Sequence, residues 1–557
     1  MIIASFAAFH LTSAVSVPHC GRGEPCWPTR AEIAHFNKTL GSGNFSRVLY
    51  WKGKLSPRPC AVPLDSPDQQ PLYGFGKNGL NAVYSGDGSA TKFPCFTEEN
   101  ETRPICFTAM RNNPMENWNP AFVVWAVSTE QVRTAVQFAR RHNLCIMAAG
   151  EGHEFLNRHS CDQGLMIRTT LLKSFEWDPN DKKEFGSEGG SVRVGAGVTF
   201  SELEYSASQH DRFVSSGWAV TVGIVGWSIG GGHGPFAPSA GLGVDNILEA
   251  EIVLENGTAV TVNSSINTDL FWAIRGGGGS TWGIITSLTI RAHKNPESGF
   301  TLARARWNGS MCSADKHTLH NLIDKYLDWA LNLDKKWSGL AFIAPQTSSS
   351  SQCGGNWTFT MQYVFLGSNN EANDTWKNIT SSVPGVGGFM LECEKWWDEV
   401  KNYELEPIHP TPWLAPTNNN PGGLPSVFVD KDVVTSGRLS SLLKSRLNDC
   451  PNEGICQIQQ LYTDITGHKG SPQEPNVSIS SGFRTSLFHI IFGYWNDTIT
   501  QEYYSLGSNS YFSESAYNMR NWKERYWGNN YQKLKNIKTQ WDPLNVFWCR
   551  HCVGDEM

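Results

Sequence analysis

The stretch AAGEGHEFLNRHSC (148–161) decides how the chain is read. It continues from CIMAA (145–149), an apolar run of strand character, and glycines at 150 and 152 remove side chains just where that strand ends. Backbone N–H groups freed in this way turn inward as an anion-binding nest, and His153 then points into the same cavity. A histidine after such a turn also serves as a half-buried structural residue, so the string alone leaves both readings open.

Working outward, changes of hydrophobic period predict an α+β fold. AFVVWAV (121–127) reads as a buried strand, and Ser128 caps a helix whose Val132, Ala135, Val136 and Ala139 recur at i, i+3, i+4 and i+7. Gln131 completes a capping box there, and Thr199 with Glu202 offers a second one after the strand SVRVGAG (191–197). ILEAEIVL (247–254) and AVTV (259–262) flank Asn256-Gly257, a strong hairpin signal. Residues 269–275 predict one or two helical turns ended by the glycines 276–279, after which WGIITSLTI (282–290) is a strand. From 300 to 500, strand patterns such as FTMQYVF (359–365) and FHIIFGYW (488–495) alternate with helical stretches such as HTLHNLIDKYLDWAL (317–331). That predicts a second, antiparallel sheet with covering helices. NWKERYWGNNYQKLKNIKTQ (521–540) reads as one helix stopped by Asp542-Pro543.

Composition bounds the function. The 557 residues, 40% hydrophobic, exceed one ordinary core, and 46 basic against 52 acidic residues provide no stripe for phosphate backbones. Nucleic acid is excluded as a partner. The apolar run 2–16 is shorter than the roughly 20 residues that cross a bilayer and reads as a signal-peptide core; no other segment is long enough to cross. Sequons at Asn37, Asn44, Asn100, Asn256, Asn263, Asn308, Asn356, Asn373, Asn378, Asn476 and Asn496 agree with a secreted, glycosylated chain. So do the local cysteine pairs Cys20/Cys26, Cys450/Cys456 and Cys549/Cys552 among 14 cysteines. The expected divisions are a signal peptide (1–17), a Pro-, Gly- and Cys-rich extension (18–114), a first domain (115–297), a second (298–500) and a C-terminal segment (501–557) that returns to the first.

The Gly-x-Gly-His turn, Gly217, GIVGWSIGGGHG (223–234), GLGVDN (241–246) and DLFWAIRGGGG (269–279) occur in one order and spacing. Together they resemble the FAD-binding domain shared by vanillyl-alcohol oxidase and p-cresol methylhydroxylase, in its berberine-bridge-enzyme-like branch. The likeness covers roughly residues 115–295 and resumes at YFSE (511–514), WKERYWGNNYQKL (522–534) and WDPLNVF (541–547). It implies a two-part FAD-binding domain with an α/β substrate domain, and an FAD-linked oxidoreductase acting on a small organic molecule. His153 falls on the residue bonded to the flavin 8α-methyl carbon, and a neutral imidazole can add to the electrophilic quinone-methide form of the flavin. Ala219 stands where some members carry a second, cysteine linkage, so the resemblance implies a monocovalent flavin. Beside His153, the resemblance implies a cofactor set of Gly150, Glu151, Gly152, Glu154, Gly223, Gly226, Gly230, Gly231, Gly232, Ile284 and Tyr511, with Asp245 and Asn246 near the domain's core. The glycines fit a backbone that closely approaches pyrophosphate and isoalloxazine.

Hydride delivery to a flavin is usually paired with a base for an O–H or N–H proton. QIQQLYTDITG (457–467) matches the substrate-domain strand expected to face the flavin, with Tyr462, Asp464 and His468 as candidates and Glu514 of YFSE in reserve. Period-two alternation puts Tyr462 and Asp464 on one face, where desolvation in an apolar cavity would raise a carboxyl pKa; Asp464 also fits a turn or cap. Ser513 departs from the asparagine that members often carry there. The same acid/base residues could serve a non-redox isomerase or cyclase on this scaffold. Gly226-Trp227-Ser228-Ile229-Gly230 matches the nucleophile-elbow pattern of serine hydrolases, but the glycines after it oppose the helix that elbow needs. No metal site is read: His153-Glu154 lacks a histidine at i+4, and Cys549-Arg550-His551-Cys552 has no second half. The 12% aromatic content allows an apolar pocket, pointing to a secondary metabolite. Molecular oxygen and other electron acceptors both stay open, as does the oligomeric state.

Overall fold

A computed structural model describes residues 19–41 and 120–556, together with three short strand segments between 45 and 104. Several internal stretches are excepted, the longest being 180–188, 346–355, 401–422 and 449–458. The run 2–16, most of the extension, the pair Cys450/Cys456 and Asn44, Asn100 and Asn496 lie outside the described residues.

Three sheets carry the α+β architecture. In the first, strands Phe45–Arg47, Phe122–Trp125, Leu165–Arg168 and Ile146–Ala149 lie in that spatial order, the last three parallel. Helix Thr129–Arg141 crosses between two of them and buries Val132, Ala135, Val136 and Ala139. Ser128 accepts from Gln131 N as expected, but the Gln131 side chain accepts from Val127 N and donates to Leu40 O. The reciprocal half of that capping box is replaced by a tie to helix Arg30–Leu40.

The second sheet orders Ala259–Asn263, Ile247–Val253, Ile284–Arg291, Ser191–Gly195 and Phe175–Asp178, all antiparallel. Its hairpin turns at Gly257 (φ +81°), with Val253 opposite Ala259. Thr199 and Glu202 close a complete capping box on helix Phe200–Gln209. A seven-stranded antiparallel sheet makes up the third layer, in the order Gly387–Cys393, Phe300–Ser310, Asn356–Leu366, Trp337–Pro345, Gln459–Tyr462, Phe488–Phe492 and Ser426–Val429.

The two faces of this large sheet differ. Helix Ser313–Leu331 buries Leu322, Ile323 and Tyr326, with the Tyr326 hydroxyl 2.9 Å from that of Tyr363 on the sheet. Elsewhere Leu340, Phe342 and Tyr462 cluster with Trp218 from the Gly-rich passage, and Phe155, two residues after His153, packs with Leu424, Ile491 and Tyr462. The sheet therefore stands against the His153 turn. The C-terminal stretch 521–540 forms two helices, Trp522–Trp527 and Tyr531–Trp541, rather than one. Gly528, at φ +51°, ends the first helix with a conformation that helical residues do not take.

Glu204 is buried on helix Phe200–Gln209 and accepts a hydrogen bond from Ser216 Oγ at 2.5 Å. Burial pushes its carboxyl up to about 7, outweighing the Ser216 contact. The folded chain thus keeps a proton that the unfolded chain releases near 4.5, and stability falls as pH rises between these values. Glu204→Gln should flatten that slope and stabilise the protein above neutral pH by at most about 3 kcal/mol, read from urea unfolding at about pH 5 and about pH 8.

Candidate active site

The His153 turn is held from several sides. A disulfide between Cys145 and Cys161, unforeseen in the sequence, closes a 16-residue interval that contains Gly150, Glu151, Gly152 and His153. A crosslink of that span removes roughly 3 kcal/mol of freedom from the unfolded chain. Gly152 takes φ +86°, and Thr170 Oγ1 donates to Gly150 O at 3.0 Å. Glu151 is buried and its carboxyl is pushed up by desolvation, although Lys173 Nζ lies 4.0 Å away. Glu154 builds the turn: it accepts from Leu156 N, Arg158 N and Arg158 Nε. Arg158 in turn donates to Phe512 O at 2.7 Å and stacks 3.7 Å over the Phe512 ring. One arginine therefore ties the His153 turn to YFSE. His153 Nε2 sits 3.1 Å from Thr221 Oγ1.

Thr221 leads into the Gly-rich run, part of which is a short helix, Ile224–Gly230, starting after Gly223. An added Cβ at Gly226 would meet nothing within 4 Å, and one at Gly223 would approach Glu151 N at 3.4 Å. The helix start thus lies beside the His153 turn with a bare backbone surface, which fits a large polar cofactor at close approach. Gly230 and Gly231 instead pack on Ser513, Tyr511 and Phe483, and Gly232 N donates to the Tyr511 hydroxyl at 3.3 Å. Ser228 is buried inside the short helix and not on a strand-to-helix elbow, which removes the hydrolase reading. Ile284 is core, opposite Val253 and packed with Val124 and Val225. Asp245 pairs with both Arg484 Nη atoms, and Asn246 donates to three backbone carbonyls and accepts from His293.

The chemistry gathers around His233, which the sequence reading did not single out. Its Nδ1 is 2.8 Å from Asp464 Oδ2 and its Nε2 is 3.3 Å from Glu514 Oε2. Trp218 Nε1 also donates to Asp464 Oδ2, at 2.7 Å. His489 Nε2 is 3.4 Å from Glu514 Oε2, and Tyr462 and Tyr511 flank both imidazoles at ring distances of 5.2 to 5.8 Å. Asp464 is fully buried, but strand Gln459–Tyr462 ends two residues before it, so alternation is not what places it. Nor does its carboxylate face an apolar cavity, since an indole and an imidazole bind it. His468 turns away, with Nε2 2.8 Å from Thr463 O. Tyr462 lies opposite His489 in the sheet and donates to Gln460 at 2.6 Å.

Burial opposes a charge on His233, yet Asp464 and Glu514 outweigh it and push its pKa up to about 10. Burial, then the charge on His233, pushes His489 well below its ordinary value and keeps it neutral. Burial and the nearby carboxylates raise the Tyr462 and Tyr511 hydroxyls above the usual phenol range, so both remain donors. His489 shares a strand face with Ile491 in FHIIF, and His233 interrupts GGGHG; those were the available signals.

The profile of the FAD-binding domain family matches residues 120–263, and that described as berberine and berberine-like matches 500–554. An FAD-linked oxidoreductase of Gibberella zeae is 26% identical over 576 residues, spanning 97% of this chain and 93% of its own. The chain is an FAD-linked oxidoreductase that carries an FAD-binding domain and a berberine-like C-terminal segment. A vanillyl-alcohol-oxidase-type flavoprotein oxidase of Thermothelomyces thermophilus is 24% identical over 583 residues, covering 96% of this chain and 92% of that oxidase. Among solved structures, a flavoprotein of that type from Myceliophthora thermophila superposes with a TM-score of 0.72 at 19% identity, covering 97% of each chain. Berberine bridge enzyme from Eschscholzia californica gives 0.63 at 17% identity, covering 94% of this oxidoreductase and 98% of that enzyme. The fold of this oxidoreductase is thus the one these flavoproteins share.

Arg158→Met should keep the packing on Phe512 while removing the bonds to Glu154 and Phe512 O, costing roughly 2 to 3 kcal/mol. Thermal unfolding followed with flavin fluorescence checks this: the cofactor region should loosen before the large sheet melts, whereas unchanged stability would refute the clamp.

Proposed function

We propose that the oxidoreductase holds FAD covalently through His153 alone and oxidises a small apolar metabolite. One observation carries the reading: the His153 turn, the bare start of the Gly-rich helix and the Asp464–His233–Glu514 array converge from separate segments. Gly150, Gly152, Gly223 and Gly226 would let backbone approach the cofactor, Glu151 lines the turn, and Tyr511 and the glycines 230–232 join it to the array. Bound FAD supplies a two-electron acceptor for hydride. Leu340, Phe342, Trp218 and Tyr462 offer an apolar wall that orients a substrate and excludes water. Glu514, linked through His233 to Asp464, takes up the substrate's O–H or N–H proton. Glu514 retains 17% side-chain exposure against none for Asp464, so Glu514 reaches the substrate and Asp464 orients His233. Ala219 supports a single flavin linkage because it has no sulfur to bond.

We place the protein in the secretory pathway. Asn37, Asn256, Asn308, Asn378 and Asn476 are exposed, as glycan acceptors must be. Disulfides Cys20–Cys26, Cys145–Cys161 and Cys549–Cys552 fit an oxidising compartment. Among the described residues, no helix is long and apolar enough to cross a membrane.

The purified protein should be yellow and stay yellow after acid precipitation; flavin released to the supernatant would refute the His153 bond. His153→Ala should fold with exchangeable FAD and a lower flavin potential, and its unfolding would make His153 structural. Asp464→Asn and Glu514→Gln should each lower turnover by roughly 10² to 10⁴-fold with FAD retained. Anaerobic mixing with candidate metabolites should bleach the oxidised flavin. Product without bleaching would favour the isomerase reading, for which the same acid/base array is equally suited.

A further inference from the structure

We propose that His233, His489 and Glu514 form a binding site for one divalent transition-metal ion, zinc in the first instance, with Asp464 as its outer support. The inference goes beyond the flavin reading and does not depend on it.

Three segments converge on one point: the Gly-rich run brings His233, strand Phe488–Phe492 brings His489 and YFSE brings Glu514. Their ligand atoms all lie within 4.8 Å of one another. Tetrahedral zinc with bonds of about 2.0–2.1 Å spaces its ligand atoms by roughly 3.3 Å. The separations from Glu514 Oε2 are 3.3 Å to His233 Nε2 and 3.4 Å to His489 Nε2. Asp464 accepts at His233 Nδ1, which fixes the tautomer that presents Nε2 to an ion, as outer carboxylates do behind zinc-bound histidines.

His489 supplies an independent sign. It is fully buried, yet neither ring nitrogen makes a hydrogen bond, and Nε2 lies 3.4 Å from Glu514 Oε2. A buried imidazole left in this way costs about 1–3 kcal/mol, and a metal bond removes that cost. Three ligands also leave a position open, beside Tyr462 and Tyr511, for a water or a substrate oxygen. A hydroxyl bound there would lose its proton more readily, the same task that the array performs without an ion.

The test uses the full-length flavoprotein, stripped with a chelator and dialysed against zinc chloride or, separately, cobalt(II) chloride. Elemental analysis should find one ion per chain, and cobalt should add bands to the red of the flavin absorption. His489→Gln and Glu514→Gln should reduce the bound ion to background while circular dichroism and acid-stable flavin stay at wild-type levels. Asp464→Asn should weaken zinc binding by roughly 10- to 100-fold. A wild-type protein that stays metal-free under saturating zinc overturns the proposal, as does an ion that survives both ligand variants. Flavin counted in the same samples keeps this outcome separate from the fate of the His153 bond.

Discussion

The contact on which the rest of the site depends is the bridge that His233 makes between Asp464 and Glu514. Each partner comes from a different part of the chain: a Gly-rich run, the turn after a central strand of the large sheet, and the C-terminal YFSE segment. None could be buried with its charge alone, because an uncompensated carboxylate or imidazolium away from water costs several kcal/mol. Their pairing therefore requires the three segments to meet. It makes the join between the FAD-binding half and the large sheet a condition of folding as well as of chemistry.

A second bridge works at right angles to it in function. Arg158 fastens the His153 turn to Phe512, immediately before the residues that close on His233. The Cys145–Cys161 crosslink shortens the same turn's freedom. The His153 turn and the Asp464–His233–Glu514 array are thus positioned by one short C-terminal segment, with Tyr511 contacting Gly232 and Glu514 contacting His233. A change at either end of YFSE is therefore felt by both.

Much of the fold was legible in particular residues. The Ser128 and Thr199 caps and the Asn256-Gly257 hairpin rest on contacts within a few residues, and all formed; the strands of the large sheet, read from their own apolar patterns, formed as well. Departures came where distant groups overrode local preference. Gln131 left its box to bind Leu40, Gly528 broke a helix whose apolar period ran on, and Ile224–Gly230 wound into a short helix within the Gly-rich run.

By itself, the sequence determined the α+β class, the Gly-x-Gly-His turn, the family, and the presence of Asp464, Tyr462 and Glu514 in suitable segments, since these follow from local period, turn chemistry and motif order. Only the tertiary structure decided their company. Asp464 and His233 are 231 positions apart, and His233 and Glu514 are 281 apart. No local pattern encodes such a separation. Whether a buried carboxylate meets an apolar wall, an indole or an imidazole depends on how the sheets stack, and that stacking is set by the whole core.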